Sequence, residues 1–494
     1  MGIPNVSVKK SQTGSSPALQ SAAGILAIIA SANTGPTNQP GTFTNLTLLT
    51  STYGPTGILP EYTAYNLDVT GLPTVCLRGT TSVAGSYGAI GFTSTGGSAT
   101  PVAGGTAPLD HYNFLITFTS AVVLGTTGAT YTYSTDNGVS TSGPQNLGTA
   151  LSITIPNTGA SFTLGTSTQT YNKGDVFTCN TERPLLGNTD VTTSLTALNM
   201  TRLPWEGVLI DAQYNTGLVG LVDTWLGARE QKGQFNFAVL NTRYLLEPLP
   251  NTESAATYAA AITTQTQNDS SNRLCVGADG GHNVSVLTGW NIKRPTSLAL
   301  ASMAMSLTPN IGVAPSFVGN GPVEGFQISS GSNPYDWDED IYASLDSQRL
   351  TTLRSFAPGG PQGVYITNPN VLAPSGSTII WLQLLRVLNK ACSICWQILN
   401  TQLNKGIRST VNSQGMLVID ERDAQVIEQL VNDPLQAGLA GQVTGALFSL
   451  NRDDNLATPG TSINATVQIQ PLIYATGFNV TVGLVKTITV PTAS

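Results

Sequence analysis

Three continuous apolar runs in the middle of the chain restrict its fold more than any other feature: Gly207-Val208-Leu209-Ile210-Asp211, Phe235-Asn236-Phe237-Ala238-Val239-Leu240 and Leu274-Cys275-Val276-Gly277-Ala278. Each has the length of a strand and lacks the alternation of a sheet with one wet face. Stretches of helical character at about 216 to 230, 253 to 267 and 295 to 307 separate them. Strands joined by helical crossovers run parallel, and a parallel sheet needs cover on both faces. The sequence therefore predicts an α/β unit with a buried parallel sheet.

A second periodicity precedes it. Between Gly79 and Asn172 only Asp110 and Asp136 are acidic, no Lys or Arg occurs, and Gly, Ser and Thr dominate. Period two appears in Tyr112, Phe114, Ile116 and Phe118, in Tyr131 and Tyr133, and in Leu151, Ile153 and Ile155, with a turn at Asp136-Asn137-Gly138. This predicts an inserted β-sandwich or barrel, ending near Gly174-Asp175-Val176-Phe177. Upstream, the apolar stretch Ala22 to Ala32 follows Lys9 and Lys10, as a secretory signal would. Its shortness and its distance from the basic pair favour a buried strand.

The remainder reads as helices and end strands. Ile380, Leu384, Leu385, Leu388, Ile394, Leu399 and Leu403 recur at helical spacing from Ser377 to about Asn404, and Gly406 supplies a stop. A second helix begins at Asp420, with Val426, Ile427 and Leu430 on one face and Pro434 beyond its end. Ala465, Val467 and Ile469 alternate before Pro471, and Phe478, Val480 and Val482 repeat the pattern. At the other end Ile3, Val6 and Val8 suit an extended arm that must pair with some sheet to become ordered.

Charge limits the function classes. Only 10% of the 494 residues are charged, against an ordinary figure of roughly 25%. Net charge is −7 and no Lys/Arg run exists to neutralise phosphates, so direct nucleic-acid binding is not expected. No apolar run reaches the roughly 18 to 20 residues of a membrane span, so no membrane insertion is expected. Cys76, Cys179, Cys275, Cys392 and Cys395 are odd in number and scattered, unlike a disulfide framework, which fits folding in a reducing compartment. A surface poor in Lys and Glu lacks the usual defence against strand-edge pairing, which points to contact between copies.

Catalytic patterns are weak. The only histidines are His111 and His282, and nothing like Gly-x-Ser-x-Gly surrounds a serine. Cys392-Ser393-Ile394-Cys395 is a CxxC inside an apolar helix without a second pair, which reads as core. Asp336, Asp338, Glu339 and Asp340 lack the spacing of a calcium loop, and no Gly-Lys dipeptide exists to start a phosphate loop. The expectation is a non-enzymatic chain with no cofactor and no metal.

Several segments together resemble the contractile-tail sheath family. Arg294-Pro295-Thr296-Ser297-Leu298-Ala299-Leu300-Ala301, followed by Pro309, Pro315 and Gly321-Pro322-Val323-Glu324-Gly325, is similar to the family's segment after the third middle-domain strand. So is Gly363-Val364-Tyr365-Ile366-Thr367-Asn368 leading to Arg386-Val387-Leu388-Asn389-Lys390-Ala391. The stretch bounded by the Ser134-Thr135-Asp136-Asn137-Gly138 turn and Lys173-Gly174-Asp175 is similar to the family's variable outer insertions. The resemblance implies a multidomain α/β plus β chain: an N-terminal linking arm (1–20), the start of the core (21–78), an inserted β domain (79–187), a subtilisin-like α/β middle domain (188–374) and a C-terminal sheath domain with its own arm (375–494).

It further implies hexameric rings stacked into a helical sheath around a tail tube protein, with baseplate and tail terminator proteins as further partners. The place is a virion tail assembled in the host cytoplasm, and the role is contraction for genome ejection. Ile3, Val6, Val8, Phe478, Val480 and Val482 would pair between subunits. Arg386, Lys390, Lys405 and Arg408, clustered on and beyond the long helix, are candidates to face an acidic tube or to snorkel at a helix end. A competing reading is a secreted surface-layer or adhesin-like protein that self-assembles, suggested by the low charge and the signal-like stretch.

Overall fold

The structure is a computed structural model that describes residues 23–201, 203–246, 253–308, 310–327, 342–356, 363–458 and 462–474. In chain order, β1 (Leu26–Ala30), β2 (Gly41–Phe43), α1 (Leu46–Tyr53), α2 (Ile58–Thr70) and β3 (Thr74–Arg78) open the fold. A β-rich stretch follows: β4 (Ser86–Thr93), β5 (Val102–Gly104), β6 (Asn113–Phe118), β7 (Val122–Val123), β8 (Thr130–Ser134), β9 (Gln145–Asn146), β10 (Ser152–Thr154), β11 (Ser161–Thr163), β12 (Thr170–Tyr171) and β13 (Val176–Glu182). Alternation returns with α3 (Asn188–Met200), β14 (Gly207–Ile210), α4 (Thr216–Glu230), β15 (Phe237–Asn241), α5 (Ala255–Thr266) and β16 (Leu274–Gly277). A hairpin, β17 (Gly280–Val284) and β18 (Asn291–Pro295), leads to α6 (Thr296–Ser306). After β19 (Phe326–Gln327), α7 (Ala343–Ser347), β20 (Leu353–Phe356) and β21 (Gly363–Ile366) come α8 (Leu382–Gln402), β22 (Ser409–Val411), β23 (Leu417–Ile419), α9 (Glu421–Leu439), β24 (Val443–Leu450) and β25 (Ala465–Pro471).

The predicted parallel sheet is present, in the order β16-β15-β14-β1-β3-β2, with only β2 antiparallel. Every residue of β1, β14, β15 and β16 is buried, which explains their continuous apolar character. Successive side chains point to opposite faces. Leu26 and Ile28 join the core formed with α1, α2 and α6, whereas Ala27 and Ile29 join the core formed with α3, α4 and α5. Asn45, Asn215 and Ser254 start α1, α4 and α5 by accepting a bond from a first-turn backbone N–H. Leu26–Ala30 of the signal-like stretch is therefore a central strand. The division at 78 and 188 expected from the sequence runs through one sheet, because β1 and β3 lie beside β14.

The β-rich stretch forms a five-stranded sheet, β4-β13-β6-β8-β9, and a three-stranded one, β10-β11-β5, around one aromatic core of Tyr112, Phe114, Phe118, Phe162, Tyr171 and Phe177. Asn137 and Gly138 turn with positive φ, 57° and 90°, where the sequence places a hairpin turn. The β17–β18 hairpin reaches into this core with Ile292, and Trp290 packs edge-on against Tyr112 at 6.0 Å. Where the chain leaves and re-enters the α/β unit, Val83 and Leu185 pair in a β-bridge.

Two helix expectations need correction. The long helix starts at Leu382, not Ser377, because the Val371 N–H donates to the Ile380 carbonyl and Asn370 pairs with Trp381, holding the segment before the helix extended. The second helix does not stop before Pro434 but continues to Leu439. Its core face is Ala424, Val431, Leu435 and Leu439, while Val426 and Leu430 face solvent. Burial of Leu435 and Leu439 offsets the one helical bond that proline removes.

Candidate assembly interface

The C-terminal region packs α8 and α9 against the hairpin of β24 and β25 over Val387, Ala391, Cys395, Val431, Leu435, Phe448 and Val467. A two-stranded sheet has two outer edges, and here they differ. The register pairs Leu447 with Gln468, Phe448 with Val467 and Ser449 with Thr466. The Phe448 N–H donates to Asn432 Oδ1 at 2.7 Å and its carbonyl accepts from Asn432 Nδ2 at 2.9 Å, so the Phe448 backbone points away from β25. By alternation Leu450 does too: its N–H donates to Glu428 Oε1 (2.7 Å) and its carbonyl accepts from Arg452 Nη1 (3.0 Å). The outer edge of β24 is thus covered by side chains over these residues.

On β25 the same alternation turns the backbone of Ala465, Val467 and Ile469 outward. Among the described residues nothing pairs with this edge. It carries no charged side chain and no proline before Pro471, the devices that usually blunt an edge. Beyond β25, Tyr474 donates to the Gly312 carbonyl (2.6 Å) and packs edge-on to Trp381, while Ile473 is almost fully exposed. Ile3, Val6, Val8, Phe478, Val480 and Val482 lie outside the described residues.

The four basic candidates separate. Arg386 is not on a surface: its side chain is 1% exposed. Its Nε donates to Glu206 Oε1 at 2.6 Å, and its Nη2 to Glu206 Oε2 at 3.0 Å and Thr308 Oγ1 at 2.9 Å. A further bond runs to the Ala304 carbonyl. Glu206 also accepts from the Gly24 N–H (2.7 Å), so this clamp joins α8 to the start of the central strands. The expectation that Arg386 faces a partner is corrected: an apolar surrounding with a bidentate carboxylate holds it inside. Lys390 is half-buried, and burial pushes its ammonium pKa down. Lys405 is exposed and donates to Gln402 (3.0 Å), and Arg408 pairs with Asp423 on the surface.

Other scarce charges are also internal. Arg183 binds Asp211 (2.8 Å), Lys293 binds Asp279 (2.9 Å), and Arg294 binds Asp110 (2.8 Å) with Glu61 at 3.4 Å. Asp211 follows β14 and Asp279 follows β16, so these pairs fill the crevice at the carboxyl ends of the strands, where open α/β folds usually take ligands. His111 sits 3.5 Å from Glu182 and edge-on to Tyr244, and His282 lies in β17 opposite Lys293 and Gln327. Cys392 and Cys395 are fully buried in two different apolar clusters. Among the described residues no group of His, Cys, Asp and Glu is arranged to hold a metal, and Asp336 to Asp340 lie outside them.

The edge cover formed by Asn432, Glu428 and Arg452 is absent from the sequence reading. Their only signal is the four-residue spacing of Glu428 and Asn432, which puts both on one face of α9 without saying what they meet.

No protein-family model and no curated protein matches the sequence. Solved structures do. A chain of the anti-feeding prophage baseplate in its contracted state aligns over 98% of this chain and 99% of its own, with 14% identity and a TM-score of 0.50. Sheath tail proteins from Listeria innocua (12% identity, 91% of this chain and 96% of that one, TM-score 0.43) and Desulfitobacterium hafniense (11%, 95% and 100%, TM-score 0.44) are also similar. The class is therefore a mixed α/β chain of several sheets, similar in fold to the prophage baseplate chain. The resemblance to contractile-tail proteins read from the sequence is met at the level of fold.

Proposed function

We propose that this chain is the structural subunit of a contractile tail sheath, and that copies are linked by strands added to the C-terminal sheet. The observation that carries the reading is the β25 edge: outward backbone groups on Ala465, Val467 and Ile469, uncharged and unpaired among the described residues. Strand addition satisfies such groups through the main chain and needs no charged interface. The alternating segments around Ile3, Val6 and Val8 and around Phe478, Val480 and Val482 are the strands offered to a neighbour. The likeness in fold to the prophage baseplate chain supports the machine class.

In this reading, hexameric rings stack around a tail tube protein between baseplate and terminator, in a virion tail assembled in the host cytoplasm. Contraction releases a less stable packing and drives the tube through the host envelope for genome ejection. If each copy buries ~200 Å² more apolar surface when contracted, it gains roughly 5 kcal/mol, so no nucleotide is required.

Proline at an outward-facing position tests the linkage, because it removes a donor from the open edge and none from the β24 ladder. Ala465→Pro and Ile469→Pro are expected to leave a folded monomer by circular dichroism and to abolish rings and tubes in electron micrographs. Tubes of normal length from both variants would sink the reading.

A further inference from the structure

We propose that Asn432, with Glu428 and Arg452 beside it, makes the C-terminal sheet one-sided, so that a strand from a second copy of this chain enters beside β25 and never beside β24. The inference rests on the linkage just proposed and goes beyond it, because it names the residues that choose the edge.

A side-chain amide carries one acceptor and one donor group, the same pair that a peptide unit offers across a ladder. Asn432 uses both on the N–H and C=O of Phe448, and so stands where a residue of a third strand would stand. At the next outward residue, Leu450, Glu428 supplies the acceptor and Arg452 the donor. These two are themselves joined, Arg452 Nη1 to Glu428 Oε1 at 2.6 Å and Nη2 to Oε2 at 2.9 Å, and Arg452 also reaches Glu421 at 2.7 Å. Hydrogen bonding from Arg452 holds the Glu428 carboxyl below its usual range, so the cover remains ionised at neutral pH.

The two edges therefore differ in what an incoming strand gains. Beside β24, where of the outward residues only Ala446 has no side-chain cover among the described residues, it must displace four existing bonds at Phe448 and Leu450 and part an ion pair, replacing each bond with one of the same kind. Beside β25 it makes new bonds to Ala465, Val467 and Ile469 while losing only water. Two arms arriving from different neighbours consequently stack outward on one side, the second pairing with the first. The same asymmetry prevents the hairpins of two copies from meeting through their β24 edges.

The test is hydrogen exchange at single-amide resolution on the full-length chain, before and after assembly, with Asn432→Ala and Asn432→Asp alongside. In the native sequence the Phe448 and Leu450 amides are expected to be slow in both states, whereas Val467 and Ile469 slow by at least about tenfold on assembly, the effect of one hydrogen bond. Asn432→Ala is expected to speed Phe448 exchange about tenfold before assembly and to give laterally associated aggregates in which that protection returns. Asn432→Asp, which keeps the acceptor, is expected to keep Phe448 slow. If Val467 and Ile469 gain no protection, the linkage itself fails. If they gain it while Phe448 and Leu450 also pass from fast to slow in the native sequence, or while Asn432→Ala with fast Phe448 exchange still forms normal tubes, the one-sided sheet is overturned and the linkage stands. The native-sequence measurement decides even if neither variant folds.

Discussion

Replacing Arg386 by alanine separates an internal clamp from a partner-facing cation. The guanidinium is 1% exposed and its main partner, Glu206, only 8%. Removing it leaves a buried carboxylate whose remaining hydrogen bond is from the Gly24 N–H, with the half-buried Lys390 as the nearby charge, and it bares the Ala304 carbonyl and the Thr308 hydroxyl. Breaking a buried pair from one side typically costs about 3–5 kcal/mol. For a unit of this size that lowers the unfolding midpoint on the order of 10 °C. Urea unfolding of the monomeric chain, followed by tryptophan fluorescence and circular dichroism together, measures it. The double variant Arg386→Met, Glu206→Gln is expected to recover most of the loss, because it removes the orphaned charge along with its partner. A loss under about 1 kcal/mol for Arg386→Ala would refute the clamp. Normal monomer stability with failed assembly would return Arg386 to a partner surface.

Three further outcomes are expected. Burial holds the Glu61 carboxyl up at about 7, opposed by Arg294 and Ser285. Because the folded value lies above the unfolded one, its contribution is complete at low pH and is lost as pH rises through about 7. Glu61→Gln should therefore gain stability over the native sequence between pH 5 and pH 8, by about 3 kcal/mol across the full titration, and parallel curves of stability against pH would contradict this. All five cysteines are buried, and burial pushes the thiols of Cys76, Cys179 and Cys395 up to about 12, so a thiol reagent at pH 8 should label none before denaturation and all five after it. Gly233 has φ 75° and an added Cβ would come within 2.5 Å of the Trp396 ring, so Gly233→Ala should destabilise by about 1–3 kcal/mol in the same urea assay.

What the sequence disclosed follows from how local each signal is. β14, β15 and β16 could be read because a strand buried on both faces announces itself within five residues, and Asn137-Gly138 because positive φ selects those residue types. That β1 joins β14 across the intervening β-rich stretch is a long-range pairing that no local signal announces. Arg386 misled for the same reason: the partner that buries it is 180 residues away. Pro434 was a sound stop signal overridden by tertiary packing of Leu435 and Leu439. The edge cover was invisible because Asn432 and Glu428 look like any exposed polar pair until β24 is laid beside them.

The bridge between Val83 and Leu185 has a consequence for how this protein can diversify. A module whose two ends meet at a single pair of residues can be enlarged or trimmed in its outer loops without moving the point where the chain leaves the layers beneath it. The graft is not unconditional, because Trp290 and Ile292 project from the host side and need an apolar roof. A swapped module would therefore be free in its outer loops and constrained where it receives those two side chains, where Asp110 binds Arg294 and where His111 meets Tyr244.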